Sequence, residues 1–197
     1  MGNNTSLINS FQRGNAQMIL GYTSLCQMVE SGIIENVDPT NINGASIDLT
    51  LGDIIFVEEY NKGDMVVVDL SAKPREFPRF VKFEMNKDGF LMPPGAFLLA
   101  STREVFNLPN NIAFNYRLNS SLGRAGLNHA LAGFADPGWV GSHLTLELKN
   151  WTEYHFLRIR PGQKIGQAIF YQVEPVPEER SYGKIGSYNH SKGVTLR

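Results

Sequence analysis

A mostly-β domain of the sandwich or barrel type, entered through one short N-terminal helix, is the fold class predicted for this 197-residue chain. Three observations predict it. Apolar residues recur with period two in several short runs, clusters of Pro, Gly, Asn and Asp separate those runs, and a helical spacing shows near the N-terminus. No internal repeat is apparent.

In chain order, Met1 to Gln17 is rich in Asn, Ser and Gln and reads as a flexible extension. Its Met1-Gly2-Asn3-Asn4-Thr5-Ser6 start matches a myristoylation pattern formally, but no basic patch follows, so the match is read as coincidence. Thr23 or Ser24 is expected to cap a helix running through Val29, with Leu25, Met28 and Val29 on one face and Gly32 as its stop. Cys26 is expected to pack there as a small apolar residue. From Ile47 the period becomes two. Ile47, Leu49 and Leu51 alternate with Asp48 and Thr50; Ile112, Phe114, Tyr116 and Leu118 with Ala113, Asn115 and Arg117; Leu144, Leu146 and Leu148 with Thr145 and Glu147. Turns are expected at Asn43-Gly44, Asn61-Lys62-Gly63-Asp64, Pro93-Pro94-Gly95, Pro109-Asn110-Asn111, Asp136-Pro137-Gly138 and Pro161-Gly162. Tyr182 to Arg197 carries three glycines among polar residues and suits a mobile flap. The chain thus divides into an extension over 1–17, one domain over 18–181 and a flap over 182–197.

Composition narrows the function classes. The hydrophobic fraction is 42%, no apolar run is long enough to span a membrane, and no signal-peptide core is present, so a cytoplasmic protein without a membrane partner is expected. A net charge of −1 gives no global basic field, which argues against a nucleic-acid polymer as partner but leaves room for a small phosphorylated ligand held by a local cluster. One cysteine rules out an intrachain disulfide framework. It also excludes the Cys-rich zinc site of the zinc deaminases, and His129, His143, His155 and His190 fall in no metal-ligand spacing.

The residues able to carry chemistry cluster in the middle of the chain. Glu147 sits at a polar position of an alternating strand, on the face opposite Leu144, Leu146 and Leu148; its ordinary reading is a solvated surface carboxylate. Ser120 and Ser121 lead into Leu122-Gly123-Arg124, a turn that can present hydroxyls and a guanidinium to phosphate oxygens, although such turns commonly only cap structure. Asp136, before Pro137, is ordinarily the first residue of a type I turn.

Read together, these segments resemble the dCTP deaminases of the trimeric dUTPase superfamily, from about Met18 onward. Asn43-Gly44-Ala45 through Asp48 to Leu51-Gly52, Pro94-Gly95 through Leu99-Ala100, Ser120 to Leu127, His129 to Phe134, and Asp136 to Asn150 are each similar to a segment of that family. The resemblance implies a distorted β-barrel or jelly-roll of the dUTPase-like β-clip type, in a homotrimer with sites shared between neighbouring subunits and closed by the tail. By the same resemblance Glu147 is the proton-transferring carboxylate, and Ser120 and the carbonyl of Ala132 orient the attacking water. Arg124 would hold the carboxylate charged and contact substrate, Asn119 and Ser121 would face phosphates, and Asp136 the deoxyribose. Thr145 and Leu146 would offer backbone groups to the base, and Tyr182, Ser191 and Lys192 would come from the flap. Magnesium would arrive on the triphosphate, with no protein metal site and no zinc.

Two departures concern phosphate handling. Asn119 stands where the family usually has Arg, and the tail has Ser187 and Ser191 in place of a Lys and a Gln; Arg117, Lys184 or Lys192 are the cations that could compensate. The leading expectation is hydrolytic deamination of a deoxycytidine nucleotide, dCTP, to dUTP and ammonia. The alternatives are a bifunctional enzyme that continues to dUMP, for which Ala132-Gly133-Phe134 is the suggestive variant, and a non-catalytic nucleotide-binding regulator.

Overall fold

The runs with the clearest alternation are the ones that become strands. The computed structural model describes residues 18–59, 66–130 and 132–196. The extension over 1–17 and the turn expected at Asn61-Lys62-Gly63-Asp64 lie outside the described residues. The first element, β1 (Met18–Ile19), pairs with the far end of the chain, and Leu20 N–H donates to the Phe170 carbonyl before the backbone turns away at Gly21. Helix α1 (Tyr22–Glu30) therefore begins two or three residues earlier than expected. Its N-cap is Gly21 in an extended conformation without a side-chain cap, and Thr23 and Ser24 lie within the first turn. Leu25 and Met28 are buried, as the spacing requires, and Cys26 is a free, partly buried thiol. The C-terminus is a Schellman motif: Ile33 N–H donates to the Met28 carbonyl and Gly32 N–H to that of Val29, with Gly32 at φ 74.

The strands that follow are β2 (Ile34–Glu35), β3 (Ile47–Thr50), β4 (Ile54–Glu58), β5 (Phe80–Glu84), β6 (Phe90–Met92), β7 (Phe97–Phe106), β8 (Ile112–Leu118), β9 (Leu127–His129), β10 (Phe134–Ala135), β11 (Ser142–Asn150), β12 (Leu157–Ile159) and β13 (Lys164–Gln172). Two further short α-helices are α2 (Ser120–Arg124) and α3 (Tyr182–Ile185), and single 3-10 turns lie at Pro39–Asn41 and Glu178–Arg180. One sheet runs β1-β13-β8-β10 with β3 also on β13; the other runs β5-β4-β7-β11-β9 with β2 also on β7; β6 and β12 form a separate ribbon. Among the described residues all pairings are antiparallel, and neither sheet closes on itself.

The core lies between the two sheets. Leu49, Phe114 and Phe170 from one sheet meet Ile55, Leu98, Phe106, Leu146 and Leu148 from the other, all fully buried. Each such side chain contributes roughly 1.5–3 kcal/mol of transfer free energy. Phe106, Phe114, Trp139 and Phe170 form a chain of ring contacts with centroids 4.6 to 5.9 Å apart. Central β7 is buried continuously over Leu98 to Thr102 because both of its faces are covered, which hides any period-two signal there.

Glu104 on β7 is fully buried and joins the sheets. It accepts from Thr50 N–H at 3.0 and 3.1 Å and from Thr50 Oγ1 at 2.7 Å, and burial, the largest influence, raises its pKa above the ordinary carboxylate value.

The Pro-Gly turns share one geometry. At Asp136 the expected type I turn is instead type II: Gly138 has φ 84, and Trp139 N–H reaches back to the Asp136 carbonyl. Gly138 is also a close-approach site, since a Cβ there would collide with Ser181 Oγ and come within 2.7 Å of Asn110 Oδ1.

Candidate active site

Strand β11 explains where the polar residues of the centre point. Ser142, Leu144, Leu146, Leu148 and Asn150 are buried, so His143, Thr145 and Glu147 share the opposite face. That face is the floor of a cavity of about 520 Å3. Ala132, Phe134 and Asp136 form one wall, an apolar wall comes from Phe77, Phe80, Phe97 and Leu99, and Arg75 stands at its edge. Tyr182, Tyr188, Ser191, Thr195 and Leu196 supply the roof.

Glu147 does not stand alone there. His129 Nε2 is 3.2 Å from Glu147 Oε2, an ion-pair distance, although the two atoms are not aligned for a hydrogen bond. The imidazole is buried and packs against the ring of Tyr116, centroid to centroid 4.7 Å. Burial pushes the Tyr116 phenol well above its usual pKa, with the nearby Glu147 charge adding to the effect. Its hydroxyl donates to the Ile165 carbonyl. Strand pairing fixes this geometry, because Leu148 faces His129 across β11 and β9, and Ala130 N–H donates to the Glu147 carbonyl. His129 as the neighbour of Glu147 was not singled out in the sequence. The signal available was its place on the short alternating segment after Gly126.

The tail lies along β11. His143 N–H donates to the Ser191 carbonyl, Ser191 N–H to Ser142 Oγ, and Thr195 N–H to Thr145 Oγ1. Trp139 Nε1 donates to the Tyr188 carbonyl at 2.8 Å, and Val140 N–H to Asn189 Oδ1 at 3.1 Å. Burial raises the pKa of Tyr182. These hydrogen bonds hold the roof residues against the floor.

The residues singled out from the sequence fall into two groups. Glu147, Ala132, Asp136, Thr145, Tyr182 and Ser191 line the cavity, and Leu146 has its side chain in the core, so only its main chain is available to a ligand. Ser120, Ser121 and Arg124 do not line it. They are exposed on α2, where Asn119 acts as the N-cap: its Oδ1 accepts from Ser121 N–H at 3.0 Å and from Ser121 Oγ at 2.7 Å. Lys192 lines a neighbouring groove, Lys184 pairs with Glu178 at 3.5 Å, and Arg117 is exposed on β8. Among the described residues, no group of three or more His, Cys, Asp or Glu could hold a metal ion.

A carboxylate beside an imidazole, at the base of a largely apolar cavity with one further acid and several hydroxyls, suits proton transfer to and from a small polar ring. A family model described as dCTP deaminase-like matches residues 19–173, about four fifths of the chain and including Glu147, His129 and α2. The chain belongs to this dCTP deaminase-like family. Relatives named "dCTP deaminase, dUMP-forming" include one from a Nocardioides species, 38% identical over 184 residues that cover 90% of this chain and 93% of that one. One from Thermobifida fusca is also 38% identical, covering 90% and 91%, and one from Corynebacterium glutamicum is 35% identical, covering 90% and 94%. Among solved structures, 2'-deoxycytidine 5'-triphosphate deaminase from Agrobacterium tumefaciens matches with TM-score 0.63 and 18% identity over 80% of this chain. The chain spans half the length of that protein, and the likeness is one of fold. The mostly-β, unclosed sheets thus share the fold of that solved deaminase, in keeping with the distorted β fold that the resemblance implies. Its roof-forming tail, beyond residue 173, lies outside the family match.

Proposed function

We propose that this protein deaminates dCTP and carries the product on to dUMP and diphosphate, with the nucleotide entering as its magnesium complex. The observation that carries the chemistry is the Glu147 carboxylate on the cavity face of β11, 3.2 Å from buried His129. The observation favouring dUMP over dUTP is that the relatives at 35–38% identity bear the name "dUMP-forming". The leading expectation from sequence, release of dUTP, gives way to its bifunctional alternative on this ground.

In this reading Glu147 takes a proton from a water molecule as the water oxygen attacks C4 of the cytosine ring. That proton passes to ring N3, and Glu147 then moves the new C4 hydroxyl proton to the departing amine, so that ammonia leaves and a carbonyl remains. His129 fixes the carboxylate; Thr145 and the β11 main chain face the base; Asp136 faces the sugar. Cleavage between the α and β phosphates by a second water gives dUMP and diphosphate. Ser120 and Arg124 are exposed away from the cavity of their own chain, so in this reading they serve the cavity of a neighbouring subunit in a homotrimer. Magnesium belongs to the substrate, where it neutralises phosphate charge.

Incubation with dCTP, dCMP, CTP and dUTP, each with magnesium, followed by chromatography and an ammonia assay, tests the proposal. Equal yields of ammonia, dUMP and diphosphate from dCTP are expected. Accumulation of dUTP would restore the simple deaminase, and tight nucleotide binding without turnover would make the protein a regulator.

A further inference from the structure

Beside the main cavity runs a second concavity of about 480 Å3 that the deamination chemistry does not use. Three elements bring cations to it: Lys82 from β5, Arg103 from β7 and Lys192 from the tail. None of the three makes an ion pair among the described residues, and one carboxylate, Asp53, lines the same groove. On a chain of net charge −1, three cations against one acid in a single hollow is a local positive field. The cations are also positioned. Arg103 lies over Gly162, so closely that a Cβ there would come within 2.8 Å of its Nη1. Lys82 is cross-strand from Phe56, which lines the groove.

The tail separates the two hollows. Ser191 and Thr195 face the main cavity, whereas Lys192, Gly193 and Val194 face the groove. His143 lines both, its Nδ1 2.9 Å from the Thr102 carbonyl. An anion held jointly by Lys192 of the tail and by Lys82 and Arg103 of the sheet would tie the tail down over the cavity.

We propose that this groove is an oligophosphate-binding site, separate from the nucleotide pocket, whose occupancy holds the tail closed. The groove's charge selects an oligophosphate, since adjacent phosphoryl groups match cations spread over several elements. The choice of diphosphate as the probe rests on the dUMP-forming reading, which releases that anion next to the groove.

Calorimetric titration of sodium diphosphate into the full-length protein, with and without saturating dUMP, tests this without requiring turnover. Binding that persists with dUMP present is expected, as is weakening of about tenfold or more in Lys82→Gln/Arg103→Gln, with Lys82→Arg keeping affinity near wild type. No competition by α,β-imido-dUTP is expected, and displacement of diphosphate by it would overturn the proposal, because the groove would then be the phosphate end of the nucleotide pocket. The tail should be cleaved more slowly by protease when diphosphate is bound. No binding at millimolar diphosphate, or equal binding in the double variant, overturns the proposal. Loss of deamination in the product assay leaves this result standing, so the two readings fail separately.

Discussion

At the scale of single residues, Glu147 reaches the cavity by strand parity: with Leu146 and Leu148 committed to the core, position 147 must point the other way. The carboxylate then meets His129, delivered by β9 through the Leu148–His129 pairing. Glu147→Gln keeps the shape and removes the proton acceptor, so ammonia release should fall by at least about 100-fold while nucleotide affinity stays within about tenfold. Ammonia assay and calorimetry on the same preparation check it, and near-normal turnover would remove Glu147 from the mechanism. If the proposed mechanism holds, His129→Asn should lower kcat by about tenfold or more and change KM little, because there the imidazole steadies the carboxylate from beneath the cavity. A matching loss of melting temperature with kcat intact would reduce His129 to a packing role.

At the scale of elements, Glu104 and the Asp136 turn are joints between parts that the alternation alone cannot connect. Glu104 has its pKa raised by burial in the folded state. A raised folded value means the folded protein binds the proton more tightly than the unfolded chain, so this group's stabilising effect is present at low pH and is lost as pH rises through the folded pKa. Wild type should therefore gain stability relative to Glu104→Gln as pH falls from neutrality toward the carboxylate range; denaturant melts of both proteins across pH measure it, and a constant difference would contradict it. Gly138→Ala should loosen the tail, because its Cβ meets Ser181 Oγ in a backbone region costly for alanine, with an expected loss of roughly 1–3 kcal/mol and faster proteolysis after residue 181. The strands at Ile47, Ile112 and Leu144 were legible in sequence because each has one buried face. The start of α1 was not: Leu20 is drawn into the sheet by Phe170, a contact 150 residues away that overrides the capping preference of Thr23 and Ser24. The close approach of Ser181 to Gly138 in the turn at Asp136 is likewise a long-range contact, and the role of Asn119 as a helix cap competes with the phosphate contact its position suggested.

At the scale of the whole molecule, the described residues present a site whose proposed parts are on opposite terms: Glu147 is enclosed in a cavity, whereas Ser120 and Arg124 are exposed on α2 and line no part of it. Such a division is what a site shared across a subunit boundary requires, and it is testable without any structure of the assembly. The solution mass should be close to three times 22.0 kDa. Glu147→Gln and Ser120→Ala homotrimers should each be nearly inactive, since every site in either lacks one group. If subunits of the two are mixed in equal amounts, dissociated and reassembled, a site is intact when its Glu147 comes from a Ser120→Ala chain and its Ser120 from a Glu147→Gln neighbour, which for random assembly is about one site in four. Deamination should then return to about a quarter of the wild-type rate. Were Ser120 and Glu147 to act within one chain, no mixture could contain an intact site and activity would stay at the level of the parents. Mixing without dissociation provides the control, because intact trimers keep their original partners and should show no recovery.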